Sequence, residues 1–169
     1  MSSNVEIERK YIIRMPDVDV LRAAESHTES RITQIYLKCN QGETRRVRRR
    51  EYSDRTVFTE TVKRRIDSIS ALEIENEITE SEFLEKAKDV EENSKPVVKT
   101  RHTFVYLGNT FEVDVYPEWK STCILETELA SREISLTPPA FITVIREVTG
   151  MREYSNYSLS KKFPTEDHL

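Results

Sequence analysis

The sequence predicts a mainly β protein of the α+β class, an eight-stranded antiparallel closed barrel with a charged lumen and helices packed outside. Short segments that alternate apolar and charged residues follow one another along most of the chain, and tight turns join most of them. The polar faces of these segments carry rows of acids and bases, whereas their apolar faces are modest. We therefore expect the charged faces to meet across a lumen with room for one small ligand, and the apolar faces to meet the helices.

Length and composition set the limits of the prediction. The 169 residues suit a single domain over 1–169, and the net charge of -4 gives no basic field that would attract nucleic acid or an anionic membrane. Cys39 and Cys123 are too few for a disulfide framework, and His27, His102 and His168 are scattered without the spacing of metal ligands. The absence of a long apolar run predicts a cytoplasmic protein without a membrane anchor.

The first half of the chain predicts five strands and one helix. Val18, Leu21 and Ala24 recur at helical spacing and predict a short helix over 17–26. Strand-like alternation covers the following ranges: 5–13, 30–38, 44–51, 55–64 and 71–79.

The second half predicts three more strands and two longer helices. An apolar stripe predicts a helix over 81–92, and Pro138-Pro139 predicts a second one that ends at Gly150. The stripe of the second helix is formed by Phe141, Ile142, Ile145 and Val148. Strands are predicted over 95–107, 110–117 and 121–131, and the polar and aromatic tail, 151–169, is a candidate to cap the barrel.

Alternation assigns a large set of charged side chains to the lumen. The acids are Glu6, Glu8, Glu73, Glu75, Glu77, Glu112, Asp114, Glu126 and Glu128, and the bases are Lys10, Arg46, Arg48, Lys63, Lys99 and Arg101. So many carboxylates in a confined space are costly unless positive charge compensates them. Oxygen ligands suit Mg²⁺ or Mn²⁺, and the basic rows suit a polyanion, so the pattern predicts metal-dependent hydrolysis of a triphosphate.

The same residues form an ordered series of motifs that resembles the CYTH, or triphosphate tunnel metalloenzyme, superfamily. The series is ExExK (Glu6, Glu8, Lys10), QIYL (34–37), RVR (46–48), TVK (61–63), ExExE (73–77), KxR (99–101), ExD (112–114) and ExE (126–128). The opening EIERKY and the later Tyr154-Ser155-Asn156 are most similar to small bacterial members that hydrolyse inorganic triphosphate.

The resemblance implies roles for the lumen residues. It implies metal ligands in Glu6, Glu8, Glu126 and Glu128, with Glu75, Glu77, Glu112 and Asp114 as further candidates. It implies triphosphate contacts from Lys10, Arg46, Arg48, Lys63, Lys99 and Arg101. Lys10 and Glu8 would act in catalysis, and Tyr36 would either assist Lys10 in proton handling or pack as a core tyrosine.

Several alternatives stay open at this point. Adenylyl cyclisation of ATP and hydrolysis of thiamine or nucleoside triphosphates need the same triphosphate contacts. A module that binds polyphosphate or nucleic acid through 45–50 is the alternative without catalysis. Nucleic acid is disfavoured because no aromatic residues interleave with these arginines and the glutamates would repel its backbone. The expected partner is a small-molecule triphosphate, and a homodimer is left open.

Overall fold

The computed structural model describes residues 2–169, except for the side chains of residues 2–4 and of His168. Within these residues the strands are β1 (Ser2–Arg14), β2 (Glu25–Leu37), β3 (Glu43–Glu51), β4 (Thr56–Arg65), β5 (Ser70–Ile78), β6 (Val97–Tyr106), β7 (Asn109–Val115), β8 (Thr122–Glu128) and β9 (Val144–Glu147). The helices are α1 (Val18–Arg22), α2 (Glu80–Lys86) and α3 (Asn156–Lys161), with 3-10 turns at Arg152–Tyr154 and Glu166–His168. No helix in the described part is both long and apolar enough to cross a membrane.

Eight of the strands form a closed antiparallel ring. The order is β5-β4-β3-β2-β6-β7-β8-β1, and β1 closes the ring by pairing with β5. β1 changes partner half-way, because its residues 2–7 pair with β5 and its residues 8–14 pair with β8. The predicted eight-stranded barrel is confirmed. The ninth strand, β9, pairs antiparallel with residues 11–13 of β1 and is not part of the ring.

The outer face of the barrel carries the apolar side chains, and two helices cover it. Leu21 of α1 is buried against Phe104 and Leu125, and Phe83 of α2 is buried against Val47. Each such side chain contributes roughly 1.5–3 kcal/mol through the apolar surface that it buries. The prediction of helices outside the barrel is confirmed for α1 and α2.

A third apolar cluster lies at one end of the lumen. Ile12 shares the inner face of β1 with Lys10, and it packs in one cluster with Ile124, Tyr154 and Leu159. The last two residues come from the C-terminal tail, defined here as residues 151–169. The tail therefore fills one end of the ring with apolar side chains, and α3 packs there rather than on the outside.

The helix predicted from Pro138-Pro139 to Gly150 is wrong, because this segment contains β9. Ile142 is buried against the outer face of the barrel, whereas Val148 is buried in the cluster at the lumen end. β5 pairs only with residues 2–7 of β1, so the same edge of β1 needs other hydrogen-bond partners further along, and β9 supplies them at residues 11–13. Val148 N, just after β9, also donates to Lys10 O at 2.8 Å. The β-branched run Thr143-Val144-Ile145 favours that extended conformation.

The other two predicted helices are shorter than their apolar stripes suggested. α1 ends at Arg22 rather than near Ser26, because β2 begins at Glu25 to pair with β6. α2 is capped by Thr79, whose hydroxyl accepts from the Glu82 amide, and it ends at Lys86 rather than Glu92.

Candidate active site

The inner row of β1 places Lys10 between two carboxylates. Lys10 Nζ lies 2.9 Å from Glu126 Oε1 and 3.2 Å from Glu8 Oε1. Burial opposes the ammonium charge, but Glu126 and Glu8 outweigh it and raise the pKa of Lys10 above its ordinary value. Lys10 is therefore a permanent positive charge in the lumen at neutral pH.

A second lysine joins three strands across the lumen. Lys63 Nζ of β4 lies 2.9 Å from Glu6 Oε2 of β1 and 3.5 Å from Glu73 Oε2 of β5. Although burial opposes its charge, neighbouring carboxylates, Glu8 and Glu6 first, raise the pKa of Lys63. The carboxylates predicted as metal ligands on β1 are thus held by lysines in this structure.

Arg101 is at the centre of a buried acidic network. Its Nε and Nη2 donate to the two oxygens of Asp114 at 2.6 and 2.7 Å, and Nη2 also donates to Glu126 at 3.0 Å. Its third nitrogen, Nη1, lies 2.5 Å from Glu112 Oε2. A planar guanidinium matches this bidentate geometry, which a lysine could not reproduce.

Lys99 connects this network to the tail. Its fully buried ammonium lies 2.5 Å from Asp114 Oδ2 and donates to Asn156 Oδ1 of α3 at 3.2 Å. The Tyr116 hydroxyl donates to the same Asn156 oxygen at 2.9 Å. Burial, helped by the charge of Arg101, lowers the pKa of Lys99 to about 8.

Arg46 and Arg48 of β3 have less compensation than the other bases. Arg48 donates from Nε and Nη2 to the neutral Gln34 Oε1 at 3.3 and 3.2 Å, and Arg46 approaches Glu73 only to 3.8 Å. Burial and the charges of Arg46 and Arg101 lower the pKa of Arg48 to about 10. Arg46 Nε is buried without a hydrogen-bond partner among the described groups. An unpaired buried donor of this kind suits an anionic ligand.

The carboxylates around Glu128 leave an excess of negative charge. Burial, and then the charges of Glu6, Glu73, Glu112 and Glu8 in that order, raise the pKa of Glu128. Among the described side chains, no lysine or arginine lies within ion-pair distance of Glu128. Glu128, a hard oxygen donor without a counter-charge beside other carboxylates, fits a ligand of a divalent cation such as Mg²⁺ or Mn²⁺.

The remaining predicted residues lie at the edges of this arrangement. Glu75 accepts a hydrogen bond from Thr61 at 2.9 Å, and Glu77 is exposed. The Tyr36 ring packs edge-on against Tyr157 at 5.3 Å, and its hydroxyl accepts from Gln34 at 3.4 Å. Tyr36 thus combines a packed ring with a hydroxyl that points into a polar network.

The sequence did not predict one cluster of possible metal ligands on the outer face of the barrel. Within the part of the chain that the structure describes, only His27, Glu29 and His102 form a trio with ligand atoms within 4.8 Å of one another. The lumen glutamates do not gather that closely. His27 and Glu29 are two residues apart and share a strand face, a signal that sequence offers, but their approach to His102 depends on the pairing of β2 with β6.

Comparisons with solved structures identify the fold. The inorganic triphosphatase NE1496 aligns over 94% of this chain and 96% of its own, with 25% sequence identity and a TM-score of 0.60. The chain has the triphosphate tunnel fold. The similarity confirms the resemblance to the CYTH, or triphosphate tunnel metalloenzyme, superfamily that the motif series indicated.

More distant structures share the tunnel fold alone. The PH1819 protein from Pyrococcus horikoshii OT3 has a TM-score of 0.56 and 24% identity, over 75% of this chain and 80% of its own. An adenylate cyclase candidate from Bacillus halodurans has a TM-score of 0.51 and 16% identity, over 79% of this chain and 84% of its own. No protein-family model matches the sequence, and no curated protein matches it significantly.

Proposed function

We propose that this protein hydrolyses a triphosphate, with inorganic tripolyphosphate as the first candidate, inside the lumen and with Mg²⁺ or Mn²⁺. The observation that carries the proposal is the pair of half-buried arginines, Arg46 and Arg48, with weak compensation by carboxylates and one unpaired buried donor, Arg46 Nε. Positive charge that is partly removed from water and only weakly compensated is costly, and phosphate oxygens would relieve that cost. The likeness to an inorganic triphosphatase supports the same substrate class.

Four of the six basic residues fall into two groups by their present partners. Lys10 and Lys63 are held mainly by carboxylates, although Lys10 Nζ also donates to Tyr154 O at 3.4 Å, so a triphosphate would compete with those carboxylates for them. Lys99 and Arg101 are held by Asp114 on several atoms, which fixes their positions before a ligand arrives. Together with Arg46 and Arg48 they would bind the phosphate groups along the lumen.

The lumen carboxylates would have different roles. Glu6, Glu8, Glu126 and Glu128 would hold the metal, which would neutralise phosphoryl oxygens and lower the pKa of a bound water. Asp114 and Glu112 are positioning residues in this proposal, because their oxygens hold Arg101. Glu75 and Glu77 stay secondary candidates.

Lys10 and Glu8 would act directly on the reacting groups. The raised pKa of Lys10 keeps it protonated, so it would stabilise the charge that spreads over the transferring phosphoryl group rather than remove a proton. Glu8, released from Lys10 when phosphate binds, would orient the attacking water. Tyr36 would donate its proton towards a phosphate oxygen, and the tail would close the end of the lumen next to it.

Phosphate release from tripolyphosphate tests the proposal. We expect release with Mg²⁺ or Mn²⁺, none with EDTA, and a loss of about 100-fold or more in kcat/KM for Glu6→Gln and Lys63→Met, since each removes charge from the lumen. Glu60→Gln is the matched control, because Glu60 lies on β4 but points outward to Arg45 and Lys86. It should keep the activity of the wild type.

The assay should measure phosphate, pyrophosphate and cyclic AMP with tripolyphosphate, ATP and thiamine triphosphate as substrates. If ATP gives cyclic AMP and none of the three substrates releases phosphate, the protein is a cyclase and the proposed hydrolase activity is wrong. Equal activity in wild type, Glu6→Gln and Lys63→Met would place the reaction outside the lumen and contradict the proposal.

A further inference from the structure

A second candidate ligand set lies on the outer face of the barrel. Arg101 of β6 points into the lumen, so its neighbour His102 points out, where it meets His27 and Glu29 of β2. We propose that these three residues form a site for a transition-metal cation of the Zn²⁺ type, separate from the lumen and independent of the proposed triphosphatase activity. We call them the outer histidine site.

The geometry of the outer histidine site is close to that of a metal centre. His27 Nε2 and His102 Nδ1 lie 3.1 Å apart, and His102 Nδ1 lies 3.9 Å from Glu29 Oε2. Zinc–nitrogen bonds of about 2.0–2.1 Å at a tetrahedral angle place two ligand nitrogens roughly 3.3 Å apart. Small side-chain rotations would therefore bring all three ligand atoms onto one ion.

The strand register explains why the site forms here. Glu29 pairs directly with His102, and His27 lies two residues earlier on the same face. The pairing of β2 with β6 shifts between Glu25 and Thr28, and Ser26 adopts a φ of 53°. This irregularity leaves His27 stacked on His102, with ring centroids 5.4 Å apart.

Two features of the apo site are compatible with a ligand. Arg22 of α1 donates from Nε and Nη2 to Glu29 Oε2 at 3.3 and 3.1 Å, so a cation would compete with Arg22 for that oxygen or bind Glu29 through Oε1. His102 is 3% exposed, whereas Glu29 is exposed, so the site is anchored in the barrel wall and open to water on one side. Three protein ligands and one open position are the usual form of an accessible zinc site.

The ligand types distinguish this site from the lumen. Two imidazoles and one carboxylate favour Zn²⁺ over Mg²⁺ and Mn²⁺, which prefer oxygen ligands such as the lumen glutamates. An ion at the outer histidine site would link β2 to β6 across one pair of the barrel wall. Its binding should therefore stabilise the folded protein, because the ion binds the folded arrangement better than the unfolded chain.

Zinc binding measured in the presence of excess Mg²⁺ tests the inference. The full-length protein is titrated with Zn²⁺ against a chromophoric chelator, with Mg²⁺ present to occupy the lumen carboxylates, and thermal unfolding is followed in parallel. We expect one Zn²⁺ per chain and a higher Tm with Zn²⁺. His27→Gln and Glu29→Gln should weaken binding at least about tenfold and lose the Tm increase.

Matched variants assign the ion to this site. Glu25→Gln changes an exposed carboxylate on the same strand and should bind Zn²⁺ like the wild type. Glu6→Gln/Glu8→Gln changes the lumen and should also keep the site. Far-UV circular dichroism checks that each variant is folded. Failure of the wild type to retain Zn²⁺, unchanged binding in folded His27→Gln, or loss of binding in the lumen variant would each overturn the inference.

Discussion

Arg101 is the residue on which most of the buried negative charge depends. All three of its guanidinium nitrogens contact the carboxylates of Asp114, Glu112 and Glu126, and the exposed fraction of its side chain is 7%. Removal of one partner from a buried network leaves the others without compensation, which costs more than the network itself contributes. The site is therefore coupled to the stability of the barrel at this side chain.

Substitution of Arg101 should destabilise the protein strongly. We expect Arg101→Met to lower the free energy of unfolding by about 3–5 kcal/mol, because Asp114 and Glu126 lose their main counter-charge. Denaturant unfolding measures this value. Arg45→Met is the matched control, since Arg45 points outward to Glu60 on the partly exposed face, and it should cost about 1 kcal/mol or less. Similar losses in the two variants would contradict the argument.

At the scale of the element, β9 and the tail are the parts that pattern alone does not reveal. The spacing of Phe141, Ile142, Ile145 and Val148 is helical, yet Ile142 and Val148 are buried in different clusters. The open edge of β1 decides the conformation, and a local pattern carries no information on a distant edge. The lumen strands were predictable because each alternates charged and apolar residues on its own.

The same reasoning separates the two sets of site residues. The lumen bases and acids follow from alternation within single strands, so the inner positions of Lys10, Lys63 and Arg101 were predicted correctly. The side chains with which they form ion pairs depend on the register between strands. His27 and His102 meet only through that register, which is why their separate positions in the sequence indicated no site.

Acid should release the tail through Glu166. Hydrogen bonds from the backbone amides of Ser121 and Thr122 and from the Thr122 hydroxyl lower the pKa of Glu166 from 4.5 to about 2. A carboxyl with a lowered pKa stabilises the folded state above its unfolded value, and that contribution is lost as the pH falls from about 4.5 to 2. We expect the tail to loosen in this window.

Trp119 reports on that change. Its indole Nε1 donates to Pro164 O at 2.9 Å and its ring packs edge-on against Phe163 at 5.5 Å, so its emission follows the tail. Emission should shift between pH 4.5 and 2 in the wild type. This shift in emission should be absent in Glu166→Gln. It should be unchanged in the control Glu118→Gln, which replaces an exposed carboxylate next to Trp119 in the sequence. An identical step in all three proteins would assign the transition to other groups.

At the scale of the whole molecule, the lumen is a set of opposite charges that neutralise one another in pairs. Among the bases, Arg48 has no carboxylate partner and Arg46 has only a long contact with Glu73, so these two arginines would give a polyanion a favourable place to bind without a change in fold. Binding to the folded protein alone raises stability in proportion to the logarithm of ligand concentration.

Tripolyphosphate should therefore raise the melting temperature even when EDTA prevents turnover. A concentration of 100 times the Kd corresponds to about 2.7 kcal/mol and a Tm increase of roughly 5–10 °C for a domain of this size. Differential scanning fluorimetry measures the shift, with monophosphate at equal ionic strength as the control. The same shift from both anions would indicate a general salt effect rather than a site in the lumen.

The change of partner along β1 has a consequence for the order in which the chain folds. Its residues 2–7 pair with β5, and its residues 8–14 pair with β8, so that Lys10 lies opposite Glu126. Both pairings span long stretches of chain, and such contacts form late because loop closure must come first. β1, the first of the described strands in chain order, is thus among the last to be covered. Until β8 has been synthesised, its apolar residues need protection from aggregation.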